Sequence, residues 1–215
     1  MTHDDLKRME RSTFRAAADT GLWDLLLASF IALWAIAPLL SVRLGDFWSS
    51  AIFVPVWAVI YLAIRGVHAR VVVPRVGFIK IGPWRRARLR RFSLIMLLAN
   101  VAAFAAGIYA ASRPMAQWGF FLTQIGLPLA FLLGLSLAAY FLEIPRLFFY
   151  AVLLAGAPLV GEQLFQRGYA SHHGFPLAFG VAAAVIFVSG LVRFQRILPR
   201  RMAGSEEKPE NRFDE

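Results

Sequence analysis

Few side chains in this sequence are able to do chemistry, and their positions are unusual. Glu162 is followed by Gln163 and, one turn later, by Gln166, just beyond an uncharged run, Leu147–Gly161, of only 15 residues. A helix crossing about 30 Å of hydrocarbon needs about 20 mostly apolar residues, so a span built on that run has to take in Glu162. A carboxylate at membrane depth is costly and is a functional hypothesis by default. Gln124 falls at a similar depth in another run and Asn100 nearer the opposite half of a third. Glu162, Gln163, Gln124 and Asn100 are therefore candidates for the wall of a small polar vestibule. The plainer alternative is that each side chain hydrogen-bonds to a neighbouring helix, at about 0.6 kcal/mol apiece. Asp24, one turn into the first apolar run, reads as an anchoring carboxylate at a helix N-terminus. Glu143, beside Pro145 and Arg146, reads as a headgroup-level residue.

Catalysis finds little support in these residues. Glu162-Gln163-Leu164-Phe165-Gln166-Arg167-Gly168 resembles a degenerate form of the E-E-x-x-x-R-G motif of the CAAX-type intramembrane glutamate proteases, with Gln163 in place of the second glutamate. That resemblance implies histidines on later membrane helices, yet the one apolar segment that follows carries neither His nor Asn. His172 and His173 are adjacent in an expected loop, where they point apart. A lone Glu beside Gln supplies neither a second base nor an oxyanion partner. Metal-ligand spacing is missing, and so are P-loop, dinucleotide and nucleophile-elbow patterns. With no cysteine there is no thiol nucleophile and no disulfide framework. The expectation is a protein that is not an enzyme and has no cofactor.

The elements that must position these residues follow from composition. The 215 residues are 59% hydrophobic and 17% charged, against about 45–50% and about 25% in soluble domains. A water-soluble core cannot hide that much apolar surface. Cutting the chain at Asp, Glu, Lys and Arg leaves Leu25–Val42, Phe47–Ile64, Phe92–Ser112, Pro114–Leu142, Leu147–Gly161 and Gly168–Val192. These predict an all-α, six-helix membrane bundle with helices at about 22–42, 47–65, 92–112, 117–141, 146–166 and 175–194, forming one domain over 1–202. The runs are too long and too rich in Leu and Ala for barrel strands. The first run is too long, and its flank too mixed in charge, for a cleaved signal peptide. Pro38, Pro55, Pro128 and Pro158 fall in the middle or outer part of their spans, where missing backbone bonds favour kinks, and kinks clustered on that side can open an outward-facing vestibule. Small-residue rows at Ala103/Gly107/Ala111, Ala157/Gly161 and Gly180/Ala184 predict close helix packing, internal or between copies.

Charge sets the orientation. With six crossings, 20 of the 23 Lys and Arg lie on the side of both termini, and only Arg43, Arg113 and Arg167 lie on the other. Cationic flanks stay in the cytoplasm, so the expected location is the inner membrane with both termini inside. Trp23, Trp48, Trp84 and Trp118 fall near helix ends, the headgroup layer that indole rings prefer. Between the second and third helices, Arg70, Arg75, Lys80, Arg85, Arg86, Arg88, Arg90 and Arg91 form a basic loop with no acid. These are the candidate surface for anionic lipid headgroups or a partner, each worth about 1 kcal/mol near an anionic leaflet. Ordinary positive-inside anchoring is the plainer reading. Nucleic acid is not expected, since no recognition motif accompanies the charge. Val71–Val73 and Phe78–Ile81 flank a turn-compatible Pro-Arg-Val-Gly and are compatible with a short β-hairpin. Trp84–Arg91, behind Pro83, extends the third helix as a basic collar.

Gly21-Leu22-Trp23-Asp24-Leu25, Pro74-Arg75-Val76-Gly77-Phe78-Ile79 and Gly190-Leu191-Val192-Arg193-Phe194 with Pro199 together resemble, in order and spacing, a group of uncharacterised bacterial and archaeal polytopic membrane proteins whose loop reads P-R-x-G-[YF]-[VI]. The resemblance implies architecture and carries no activity. Residues 1–20 are weakly amphipathic, and 203–215 are acidic and expected to be disordered. The leading functional expectation is a non-catalytic membrane component acting through self-association or a membrane-protein partner. The alternative is a small permease or channel with an outward-facing vestibule around Glu162.

Overall fold

The computed structural model describes residues 20–76, 83–111 and 122–196, and among them every regular element is helical. The longer helices among the described residues are, in order, α1 Leu22–Ala51, α2 Phe53–Val67, α3 Pro83–Ala111, α4 Leu127–Leu142, α5 Arg146–Gln166 and α6 Phe175–Gln195. Five helical segments are long and apolar enough to cross a membrane: Leu22–Gly45, Phe47–Val72, Gln124–Leu142, Arg146–Gln166 and His172–Gln195. The remaining expected segment, 92–112, falls on α3.

The boundaries follow local chemistry. α1 bends at Gly45, whose φ of 76° and ψ of 161° belong to a region essentially restricted to glycine. The first two apolar segments are therefore joined by a single-residue corner rather than by the expected loop. α4 ends with Glu143 in the left-handed region, φ 58°, and the Ile144 amide reaches back to the Ala139 carbonyl. Pro145 then starts α5 almost at once. α5 closes at Gly168, φ 76°, where the amides of Gly168 and Tyr169 bond the carbonyls of Phe165 and Leu164, a glycine C-terminal cap.

Val71–Val73, expected as the first arm of a hairpin, are instead helical. α2 runs on through a widened π turn, His68–Val72, into a short helix, Val73–Val76. β-branched residues favour strands only where a pleated neighbour exists, and here the apolar run simply continues the helix. The second arm, Phe78–Ile81, lies outside the described residues, as do Lys80, Trp118, the N-terminal segment 1–19 and the tail 203–215. A second π turn, Leu122–Gly126, precedes α4. Each π turn ends two residues before a proline, Pro74 and Pro128. Proline lacks an amide hydrogen and its ring clashes with the carbonyl four residues back, a conflict that a widened turn relieves.

The core is shared by α1, α5 and α6, with α4 packed along α5. Ala28, Ile31 and Ala35 of α1, Tyr150, Leu154 and Ala157 of α5, and Ala178, Phe179, Ala182, Ala183 and Ile186 of α6 form one buried cluster. α1 makes its most extensive contact with α6, and the alanines on both let their backbones come close. Of the expected small-residue rows, Ala157/Gly161 is buried, whereas Ala184 faces outward and Gly180 has open space beside it. The buried row on α6 is the adjacent Ala178/Ala182/Ala183. Trp34 stands between α4 and α6, edge-on to Phe131 and Phe179, and Phe30 meets Trp57 of α2.

Candidate functional site

The starts of α1, α3 and α5 and the ends of α2, α4 and α6 meet at one end of the bundle, and most of the ionisable side chains meet there too. Asp24 is 1% exposed. The Arg146 Nε donates to its Oδ1 at 2.9 Å, and Arg193 Nε lies 4.0 Å from Oδ2. One carboxylate thus ties α1 to both α5 and α6. A buried charge is tolerated only when it is paired, and the planar guanidinium suits such pairing better than an ammonium group does.

Two glycines make this approach possible. Gly21, φ 77°, lies so close to α6 that a Cβ there would sit 2.2 Å from the Gly190 carbonyl oxygen. A Cβ on Gly190 would come within 3.0 Å of both the Gly21 oxygen and the Asp24 Cβ. Beneath the cluster the buried Tyr150 hydroxyl donates to Ser189 Oγ at 2.9 Å. Gly21–Leu25 and Gly190–Phe194 are therefore in contact.

At the same end Arg88 of α3 pairs with Glu143 and donates to the Tyr140 carbonyl at 2.6 Å. Its guanidinium also stands over the Tyr140 and Phe141 rings, 5.3 and 5.9 Å from their centroids, a cation–π arrangement. Arg88 thus faces the bundle, while Arg70, Arg86, Arg90 and Arg91 are exposed. Arg75 lies in the short helix Val73–Val76, and Arg85 in the first turn of α3.

A cavity of about 440 Å³ opens beside the Asp24 cluster, walled by five helices, with Asp24, Arg146 and His68 as its polar groups among Leu27, Leu89, Leu135 and Leu142. Trp23 and His68 also line a second cavity of about 200 Å³ between α1 and α2, where Arg65 joins them. A third, about 290 Å³, lies further along the same two helices between Trp34 and Trp57.

Glu162 stands at the opposite end. Its carboxylate accepts from Gln166 Nε2 at 3.1 Å and lies 3.0 Å from His173 Nδ1. The His173 ring packs on Phe165 with centroids 4.4 Å apart. His172 and His173 have φ of 51° and 53°, left-handed values that are uncommon outside glycine. The chain holds them there because Gly174 is pressed against Gly161: a Cβ on Gly174 would lie 2.1 Å from the Gly161 oxygen.

The expected vestibule residues are dispersed. Gln163 is exposed, Gln124 lies half-buried in the π turn before α4, and the Asn100 amide returns to the Met96 carbonyl of its own helix at 2.8 Å. None of the three cavities described above is lined by Glu162. The Asp24–Arg146–Arg193 cluster escaped the sequence reading, although a signal existed: all three lie within a turn of the same predicted face. Among the described residues no group of three or more His, Asp or Glu is arranged to hold a metal ion.

No family model, no curated protein and no solved structure matches this chain.

Proposed function

We propose that this chain is a six-span protein of the inner membrane, with α3 as the sixth crossing and both termini cytoplasmic, that acts without catalysis as a component of a membrane assembly, either with itself or with a membrane-protein partner. The observation that carries this reading is uneven burial. α1 packs on α6, α6 on α5 and α5 on α4, whereas α2 rests on α1 without burying a residue over Phe53–Val67 and α3 packs mainly on α4. Lipid tails are as apolar as leucine, so a helix held by few contacts gains from another protein surface through close packing. The 20-to-3 partition of cationic residues supports the orientation.

The cysteine-free sequence makes the test direct. Val59→Cys on α2 and Leu97→Cys on α3, both on exposed faces, are expected to cross-link in native membranes, to a second copy or to a partner that co-purifies in mild detergent. A monomer in mild detergent with no cross-link at either position overturns the proposal. Solute flux in proteoliposomes that is lost on Glu162→Gln would instead favour the small permease.

A further inference from the structure

The cavities of about 440 and 200 Å³ share two walls, Trp23 and His68. The larger falls in the range of small-molecule sites, about 300–1,000 Å³, and most of its lining is leucine and isoleucine, with Trp23 beside them. The smaller is walled by Leu22, Leu26, Tyr61 and Ile64. His68, half-buried at the shared wall, opens the π turn, and the exposed Arg65 lines the smaller cavity beside it. π turns inside helices occur frequently at functional sites. No acidic residue occurs between Asp46 and Glu143, so nothing anionic on α2 or α3 competes at this rim. Asp24 does line the larger cavity, but its charge is offset by Arg146 and Arg193.

We propose that these paired cavities are a binding site for one anionic diacyl phospholipid. The start of one acyl chain lies in each cavity, astride Trp23 and His68, and the headgroup phosphate is held by the Arg65 guanidinium and a ring N–H of His68. Two apolar clefts divided by one wall match a two-chain amphiphile, and a cationic rim matches its phosphate. Exposed Arg86 and Arg90 flank Leu89 of the larger cavity and extend the same field. The proposal rests on the membrane placement inferred above and is independent of association.

Trp23 is a reporter built into the site. The full-length protein would be placed in phosphatidylcholine nanodiscs containing increasing fractions of phosphatidylglycerol brominated in its acyl chains. The quenching that disappears in Trp23→Phe isolates this position from the other five tryptophans. It should half-saturate at about a tenfold lower fraction than with brominated phosphatidylcholine, whose equivalent phosphate comes with a choline cation that opposes the cationic rim. Arg65→Gln combined with His68→Gln should abolish that preference, and Arg65→Lys should keep most of it. Leu135→Phe, which narrows the larger cavity with the charges intact, should weaken quenching by both lipids. Equal half-saturation for the two lipids, or a preference that survives loss of Arg65 and His68, overturns the proposal. Relief of quenching by inorganic phosphate would also overturn it, by showing a site for the free anion. Oligomeric state, read from the same samples by mass, reports separately on the association.

Discussion

At the scale of single residues, the Asp24 carboxylate decides how the bundle closes. It is buried, paired with Arg146 and near Arg193, so removing it leaves cationic charge where lipid and protein can hydrate it poorly. Asp24→Ala is expected to destabilise the protein by about 3–5 kcal/mol, whereas Asp24→Leu combined with Arg146→Leu should recover much of that loss. Reversible unfolding in mixed micelles measures both. Equal losses in the single and double variants would mean that the pair contributes through packing alone. Asp24 was legible from sequence as an ionisable group at a helix start, but not as the hub of three helices. Its partners are 122 and 169 positions away, and periodicity reports only which face of a helix is apolar. Glu162 was legible as an anomaly of span length for the same reason that its partners were not: the contact with His173 depends on Gly174 meeting Gly161, a backbone approach that leaves no periodic trace.

At the scale of elements, most helix limits could be read from where charge interrupts apolar runs. α5 spans Arg146–Gln166 as expected, and α6 differs by one residue. Where the reading failed, backbone chemistry was responsible. The Gly45 corner replaced a loop, and the helical Val71–Val76 replaced the first arm of a hairpin. The two π turns share one cause, a proline two residues downstream, and this predicts a specific response. Pro74→Ala restores a donor to the Arg70 carbonyl and should let a regular α-helix run through residues 68–76. Amide exchange over that stretch is expected to slow by about tenfold or more. Unchanged exchange would show that the π turn is held by tertiary contacts around His68 rather than by the proline.

At the scale of the whole molecule, the proposed architecture takes lipid as the solvent for the outer faces of the helices and keeps the cationic ends on the cytoplasmic side. Lys80→Cys is expected to resist a membrane-impermeant thiol probe in intact cells and to react once they are permeabilised. Tyr169→Cys, in the exposed connection between α5 and α6, should react in both. The reverse pattern would invert the protein and place the cationic rim outside. The seam between α1 and α6 has a further consequence for how such a molecule is made. Asp24 is synthesised well before the guanidiniums that neutralise it, and Gly21 well before the Gly190 carbonyl that covers it. α1 therefore cannot finish docking until α6 arrives. A nascent chain halted before position 193 pairs Asp24 with Arg146 alone and leaves Gly21 uncovered, so α1 seals against the bundle only once α6 has been made.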